Sequence, residues 1–314
     1  MKLWLGSFML FCALHVGAFA SSSVISLPEL LSLLENANSN NAQKQLEKLL
    51  PYQHRLKQLS VEQQKQYYLV VLKHMSKMGQ YRQIISMSDS AMALFAGEQN
   101  ALNYGIILQI RAYAFESLGD YDKASKLYQT AKFIAQSHND LALLTQTLTN
   151  LGAISYIKED YNNALILLNE ALLVAEELNK PFELGFVYSE LALLHGRLNK
   201  LEDEQVYVEK SIEYFLQAGK SDDAVTQLAN LATNLGGQGK YDRSNDIFLE
   251  TIKQSQEFGF IESMYYSYVG LSNNYLSLGN AELALSYLEK AEQYVKQIQH
   301  AQHPIYFQLN KANL

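Results

Sequence analysis

Only one cysteine and one tryptophan occur in the 314 residues, and both, Cys12 and Trp4, fall near the start. Beyond that start, no disulfide framework, thiol nucleophile or cysteine metal site can be built, so the fold must be held by its core alone. Four prolines and 16 glycines are far fewer than collagen-like or low-complexity chains carry, which excludes disorder as the main state. Basic residues are also in deficit: 25 Lys and Arg face 32 Asp and Glu, a net charge of −7. Neutralising phosphates needs a basic face, so nucleic acid is not an expected partner. The zinc-protease His-Glu-x-x-His, the Gly-x-Ser-x-Gly elbow and the dinucleotide-binding Gly-x-Gly-x-x-Gly are all missing. Gly219-Lys220-Ser221 imitates the end of a phosphate loop, but Tyr214 stands where the first glycine of that loop belongs. It reads instead as a helix stop at Gly219 and an N-cap at Ser221, with Asp222 and Asp223 in the first turn. His300 and His303 have no third ligand near them in sequence and read as solvated helix-end residues, while Glu202-Asp203-Glu204 and Glu176-Glu177 read as solvated helix ends. No enzyme, catalytic residue, metal or cofactor is assigned.

The first twenty residues carry a different message. Lys2 precedes an almost unbroken apolar run from Leu3 to Phe19, and Ala18-Phe19-Ala20 presents small residues at the two positions a signal peptidase reads. This is the pattern of a secretory signal peptide cut after Ala20, and the mature protein is expected to be exported, to the periplasm. A membrane role is expected only if that segment stays uncleaved or if the natural chain continues into a transmembrane helix.

The rest of the chain is organised by a repeat. Tyr81, Tyr121, Tyr161, Leu201, Tyr241 and Ala281 occupy equivalent places at a spacing of 40. Three residues after each come Ile84, Ala124, Ala164, Glu204, Ser244 and Ala284, and seven further on Ala91, Ala131, Ala171, Ser211, Thr251 and Ala291. Residues seven apart share one helix face, and small ones let a neighbouring helix approach closely. Tyr128, Leu168, Val208, Phe248 and Leu288 supply bulk between them. Upstream, Leu148, Tyr188, Leu228 and Tyr268 stand three residues before Leu151, Leu191, Leu231 and Leu271, the stripe of an amphipathic helix. Each unit is therefore expected to be two antiparallel helices joined by a turn at the glycine or asparagine before the repeat mark. Copy four, with Leu201, Glu204 and Ser211, departs most and is expected to pack more loosely, as is Gly236-Gly237-Gln238-Gly239.

Leu148, Leu151-Gly152, Tyr156, Tyr161, Ala164, Leu168 and Ala171, and again Leu118-Gly119-Asp120-Tyr121 with Ala124, Tyr128 and Ala131, resemble the tetratricopeptide repeat family in a 40-residue variant of its usual repeat of about 34. The resemblance implies an all-α, right-handed α-solenoid of helix-turn-helix repeats. It divides the chain into a signal peptide over 1–20, a degenerate capping helix pair over 21–60, six repeats over 61–300 and the start of a further helix over 301–314. Pro28 suits a first helical turn, and Pro51 is expected to interrupt the second capping helix. His195 takes the aromatic position of its repeat and is expected to be packed rather than catalytic.

First helices of such repeats line a concave groove for a peptide or protein. The register assigns to it Gln109, Tyr113, Gln146, Thr149, Asn150, Ser189, Glu190, Arg197, Asn230, Thr233, Tyr266 and Asn273. Asparagine and glutamine, which both donate and accept, can read a peptide backbone, although an asparagine there can also bond across to the next repeat. The expected function is a non-enzymatic periplasmic scaffold that binds a peptide or protein. An alternative follows from overall resemblance, through Leu59-Ser60-x-x-Gln63-Gln64 and the Gly-x-Tyr turns, to the periplasmic sensor regions of bacterial membrane diguanylate cyclases. On that view the chain is the input region of a truncated signalling protein.

Overall fold

The computed structural model describes residues 26–35 and 42–295. The expected signal peptide with Cys12, and His300, His303 and the expected partial helix after them, lie outside those residues. Among the described residues every regular element is helical, and none is long and apolar enough to cross a membrane. The chain divides into two units, Met1–Leu94 and Phe95–Leu314, so the helix pair of the first repeat belongs with the N-terminal helices.

The first unit contains α1 (Leu27–Glu35), α2 (Ala42–Leu49), a 3₁₀ helix (Leu50–Gln58), α3 (Val61–Lys77) and α4 (Tyr81–Ala93). The α-helix gives way to 3₁₀ geometry at Leu50, with Pro51 in the first 3₁₀ turn, where a missing N–H costs nothing. Leu30, Leu34, Leu46, Leu49, Tyr52, Tyr67, Val71 and Leu72 are buried in this unit. The Tyr67 hydroxyl donates to the Leu49 carbonyl at 3.0 Å. Ser60 and Gln63 form a capping box at the start of α3: the Gln63 N–H donates to the Ser60 hydroxyl, and the Ser60 N–H to the Gln63 amide oxygen.

The second unit is five helix pairs in sequence: α5 (Leu102–Ser117) with α6 (Tyr121–His138), α7 (Leu141–Ile157) with α8 (Tyr161–Leu178), α9 (Pro181–Arg197) with α10 (Leu201–Gln217), α11 (Ser221–Gly237) with α12 (Tyr241–Phe258), and α13 (Ile261–Ser277) with α14 (Ala281–Val295). From α5 to α14 each helix packs on the next, as in an α-solenoid. The repeat marks are the first residues of the second helices. Ala124, Ala131, Ala164, Ala171, Ala284 and Ala291 are fully buried, with Tyr128, Leu168 and Leu288 inserted between them. Asp120, Asp140 and Asp160 cap α6, α7 and α8 by accepting from the N–H groups of Lys123, Leu143 and Asn163. At the phosphate-loop mimic Gly219 does end a helix with φ 66°, but Lys220 is the N-cap and Ser221 the first helical residue.

The turn within each pair puts one residue in the left-handed region: Gly79, Gly119, Asn199, Gly239 and Gly279, and in the third copy Glu159 at φ 63°. Glycine adopts this φ without a Cβ clash and asparagine tolerates it; glutamate has neither advantage. Glu159→Gly is expected to stabilise the protein by about 0.5–1 kcal/mol, read as a higher denaturation midpoint at unchanged slope.

In copy four two of the departing residues are closely packed. Ser211, in place of alanine, is fully buried and donates to the Gly185 carbonyl at 2.8 Å, and Phe215 closes over Gly185. Glu204 lies against Gly196, where any Cβ would meet its carboxylate, and accepts from the Asn234 amide at 2.7 Å. Ser211 and Glu204 thus each have a partner that fits them. Tyr188 stacks on Tyr207 and Tyr214, and the equivalent Tyr268 on Tyr287 and Tyr294. His195 is buried, its ring packed on Tyr207 at 4.9 Å and its Nδ1 3.3 Å from an Asp203 carboxylate oxygen; burial lowers its pKa.

Candidate functional site

All twelve residues assigned to the ligand face belong to the first helices of the second unit. Tyr113, Arg197, Thr233, Tyr266 and Asn273 are exposed, and Gln109, Gln146, Glu190 and Asn230 are half-buried. Thr149, Asn150 and Ser189 are buried. The Thr149 hydroxyl donates to the Thr145 carbonyl and the Ser189 hydroxyl to the Phe186 carbonyl, the usual way a helix satisfies such side chains. The two equivalent asparagines differ: Asn150 is buried beside the Tyr128 hydroxyl of the preceding repeat, whereas Asn230 donates to Gln227 in its own helix.

Register reasoning assigned Glu190 and Arg197 to this face but missed Glu116, whose carboxyl is also buried. Glu116, on the last turn of α5, accepts from the hydroxyl of the fully buried Tyr128 at 2.7 Å. On α9, Glu190 accepts from the hydroxyl of the buried Tyr156 at 2.6 Å. The Arg197 guanidinium lies over the Tyr156 ring, 5.1 Å from its centroid. Burial raises the pKa of both glutamates; Glu116 is pushed up to about 7, with the Tyr128 hydrogen bond opposing the shift and the charge of Glu190 adding to it. The Glu190 shift is opposed by its Tyr156 hydrogen bond and by Arg197. Burial next to carboxylates also raises the phenol pKa of Tyr128 and Tyr156. The sequence did hold a trace of this. Tyr156, Gly196, Gly236 and Leu276 fill the place of Glu116 in later copies, so its acid breaks the repeat.

A recess of about 310 Å³ lies at the start of α11 and α13, lined by Asp222, Asp223, Thr226, Phe260, Glu262 and Ser263 among others. Among the described residues no three or more His, Cys, Asp or Glu side chains gather as they would around a metal ion.

No family model matches the chain. A clustered mitochondria protein homolog of Candida albicans is 31% identical over 130 residues, which is 40% of this chain and 10% of that protein. The chain thus spans about a tenth of the length of that curated relative. Solved structures match much more widely. A tetratricopeptide repeat protein of Parabacteroides merdae is similar over 90% of this chain and 99% of that one, at 15% identity and a TM-score of 0.59. The fold is a tetratricopeptide-type helical solenoid. The apo quorum sensor NprR of B. thuringiensis is similar over 85% of this chain and 76% of its own, with 20% identity and a TM-score of 0.66. A Rap protein complexed with competence and sporulation factor is similar over 91% of this chain and 95% of its own, with 14% identity and a TM-score of 0.64. At 14% to 20% identity these likenesses show the fold alone, so what this solenoid binds has to be argued from its own face.

Proposed function

We propose that the protein is a non-enzymatic scaffold, exported to the periplasm after cleavage at Ala20, that holds a peptide or protein segment in a concave groove formed by the first helices of its second unit. One observation carries this reading: of the twelve register-assigned residues, spread over five first helices, five are exposed and four half-buried. A solenoid repeats its packing residues and varies those that meet a ligand. Here the packing positions repeat small and bulky apolar side chains, while the first-helix face changes from copy to copy. A Rap protein of the same fold was solved with competence and sporulation factor, which supports a peptide as the ligand. The finer reading, the input region of a membrane signalling protein, draws on the resemblance around Leu59 to Gln64; two of those residues, Ser60 and Gln63, serve here as a helix cap.

The test uses an array of immobilised random decapeptides, with affinities then measured for the bound sequences. A Tyr113→Ala, Tyr266→Ala, Asn273→Ala variant is expected to lose about tenfold or more in affinity. Phe133→Ala with Leu173→Ala, exposed on second helices, should leave binding unchanged. Undiminished binding by the first variant, or loss confined to the second, overturns the assignment.

A further inference from the structure

Among the described residues three buried side-chain atoms have no hydrogen-bond partner: Ser255 Oγ and the Nδ1 atoms of His74 and His195. Ser255 does not titrate, and the His195 nitrogen has the Asp203 carboxylate 3.3 Å away to answer a charge. His74, on α3, has neither excuse. Its ring is 4% exposed, and its Nε2 lies 2.5 Å from the Gln45 amide oxygen on α2. An amide oxygen only accepts, so Nε2 carries the ring proton and Nδ1 is the bare nitrogen. A second proton would turn Nδ1 into a buried N–H without an acceptor, on a buried cation.

No counter-charge waits for that proton. Burial opposes it first, and then the charges of Lys77 and Lys73 on the same helix. From α2 the facing group is the neutral Gln45, while Lys44, Glu47 and Lys48 of that helix are exposed, as are Glu29 on α1 and Arg82 and Asp89 on α4. The ring also sits at a joint. Two hydrogen bonds from α3 reach α2, one from the Tyr67 hydroxyl to the Leu49 carbonyl and one from His74 to Gln45, seven residues apart on one face of α3. An eight-residue helix is not stable alone, so α2 depends on this packing and on its buried Ala42, Leu46 and Leu49.

We propose that the His74–Gln45 contact is an acid-sensitive latch, and that protonation of the ring releases α2 from α3 and uncovers the apolar side of α2. In the open form the ring meets water and regains its ordinary affinity for a proton. The closed joint therefore has its full stability above the ordinary value of 6.5 and loses up to about tenfold in its favour for each pH unit below it. The latch lies outside the ligand face, so it stands or falls independently of peptide binding.

Hydrogen exchange of the full chain at about pH 7.5 and about pH 5.5, corrected for the intrinsic pH dependence of exchange, tests this, since ordinary carboxylates stay ionised over that range. The amides of α2 are expected to open about threefold to tenfold more often at the lower pH, with those of α7 and α8 no more open than before. His74→Gln, which keeps a donor for Gln45 and takes no proton, should remove the difference. The wild-type ring supplies a reading that depends on no variant: followed by NMR, it should titrate with a midpoint below 6.5. Equal protection of α2 at both pH values, an equal loss in α7 and α8, a difference that survives in His74→Gln, or a ring that titrates at 6.5 or above overturns the latch.

Discussion

At about pH 8 the Glu116→Gln protein should be more stable than the wild type by about 2 kcal/mol, and this advantage should shrink towards zero as the pH is lowered to about 5. The carboxyl pKa in the folded chain is raised to about 7 from 4.5, because burial disfavours its charged form. A group with a raised folded pKa favours folding while it is protonated. Its stabilising contribution is complete below the unfolded value of 4.5 and is lost as the pH climbs through about 7. Glutamine mimics the protonated acid, still accepts from Tyr128, and has no charge to desolvate. The comparison between the two proteins matters more than either curve alone. His74 and His195, both with lowered pKa, act in the opposite direction below neutrality, and their effect cancels in the difference. Urea denaturation of both proteins across this range measures it, and a difference that does not change with pH would refute the assignment.

Gly270→Ala should destabilise the protein by about 2–3 kcal/mol, an effect out of proportion to one added methyl group. A Cβ at this position would lie 2.1 Å from the ζ carbon of Phe248, whose ring is only 1% exposed and cannot swing aside. The pair has the same register as Tyr128 with Asn150, one residue of a second helix against one of the following first helix. Where Asn150 meets a tyrosine hydroxyl, Gly270 leaves the whole space to a ring. Phe248→Leu alone is expected to cost about 1 kcal/mol, and the double variant Phe248→Leu, Gly270→Ala should be more stable than the sum of the two single losses predicts. Thermal unfolding of the four proteins closes this cycle. Strict additivity would mean that ring and glycine do not share the space.

These two sites also show where sequence reasoning succeeds and where it stops. Helix pairs, turns and packing alanines were legible because a solenoid asks the same physical question every 40 residues, and the answers recur as Ala124, Ala164 and Ala284 or as Tyr121, Tyr161 and Tyr241. Copy four looked weak from its residue types alone. What repaired it, a serine hydroxyl on the Gly185 carbonyl and Glu204 over Gly196, depends on two residues at once, and a single-position pattern does not register pairs. Glu116 was passed over for a related reason. Its chemistry comes from Tyr128 and Glu190, which the fold brings together from 12 residues away in one case and from two repeats away in the other. The division after Leu94 was also unforeseen, although α4 has 13 residues where α6 has 18, and a turn region around Gly97 takes up the remainder.

The buried and stacked tyrosines that tie first helices to second helices set an upper limit on alkalinity for this fold. Tyr188, Tyr268 and Tyr287 in the stacks, together with Tyr128 and Tyr156, have phenol pKa values raised above the ordinary 10.0, chiefly by burial. An unfolded chain would ionise these phenols first, so strong base draws the protein towards the unfolded state and phenolate appears as the helices separate. No cysteine follows residue 12, so the groups that couple this fold to base include packing residues of the repeat itself.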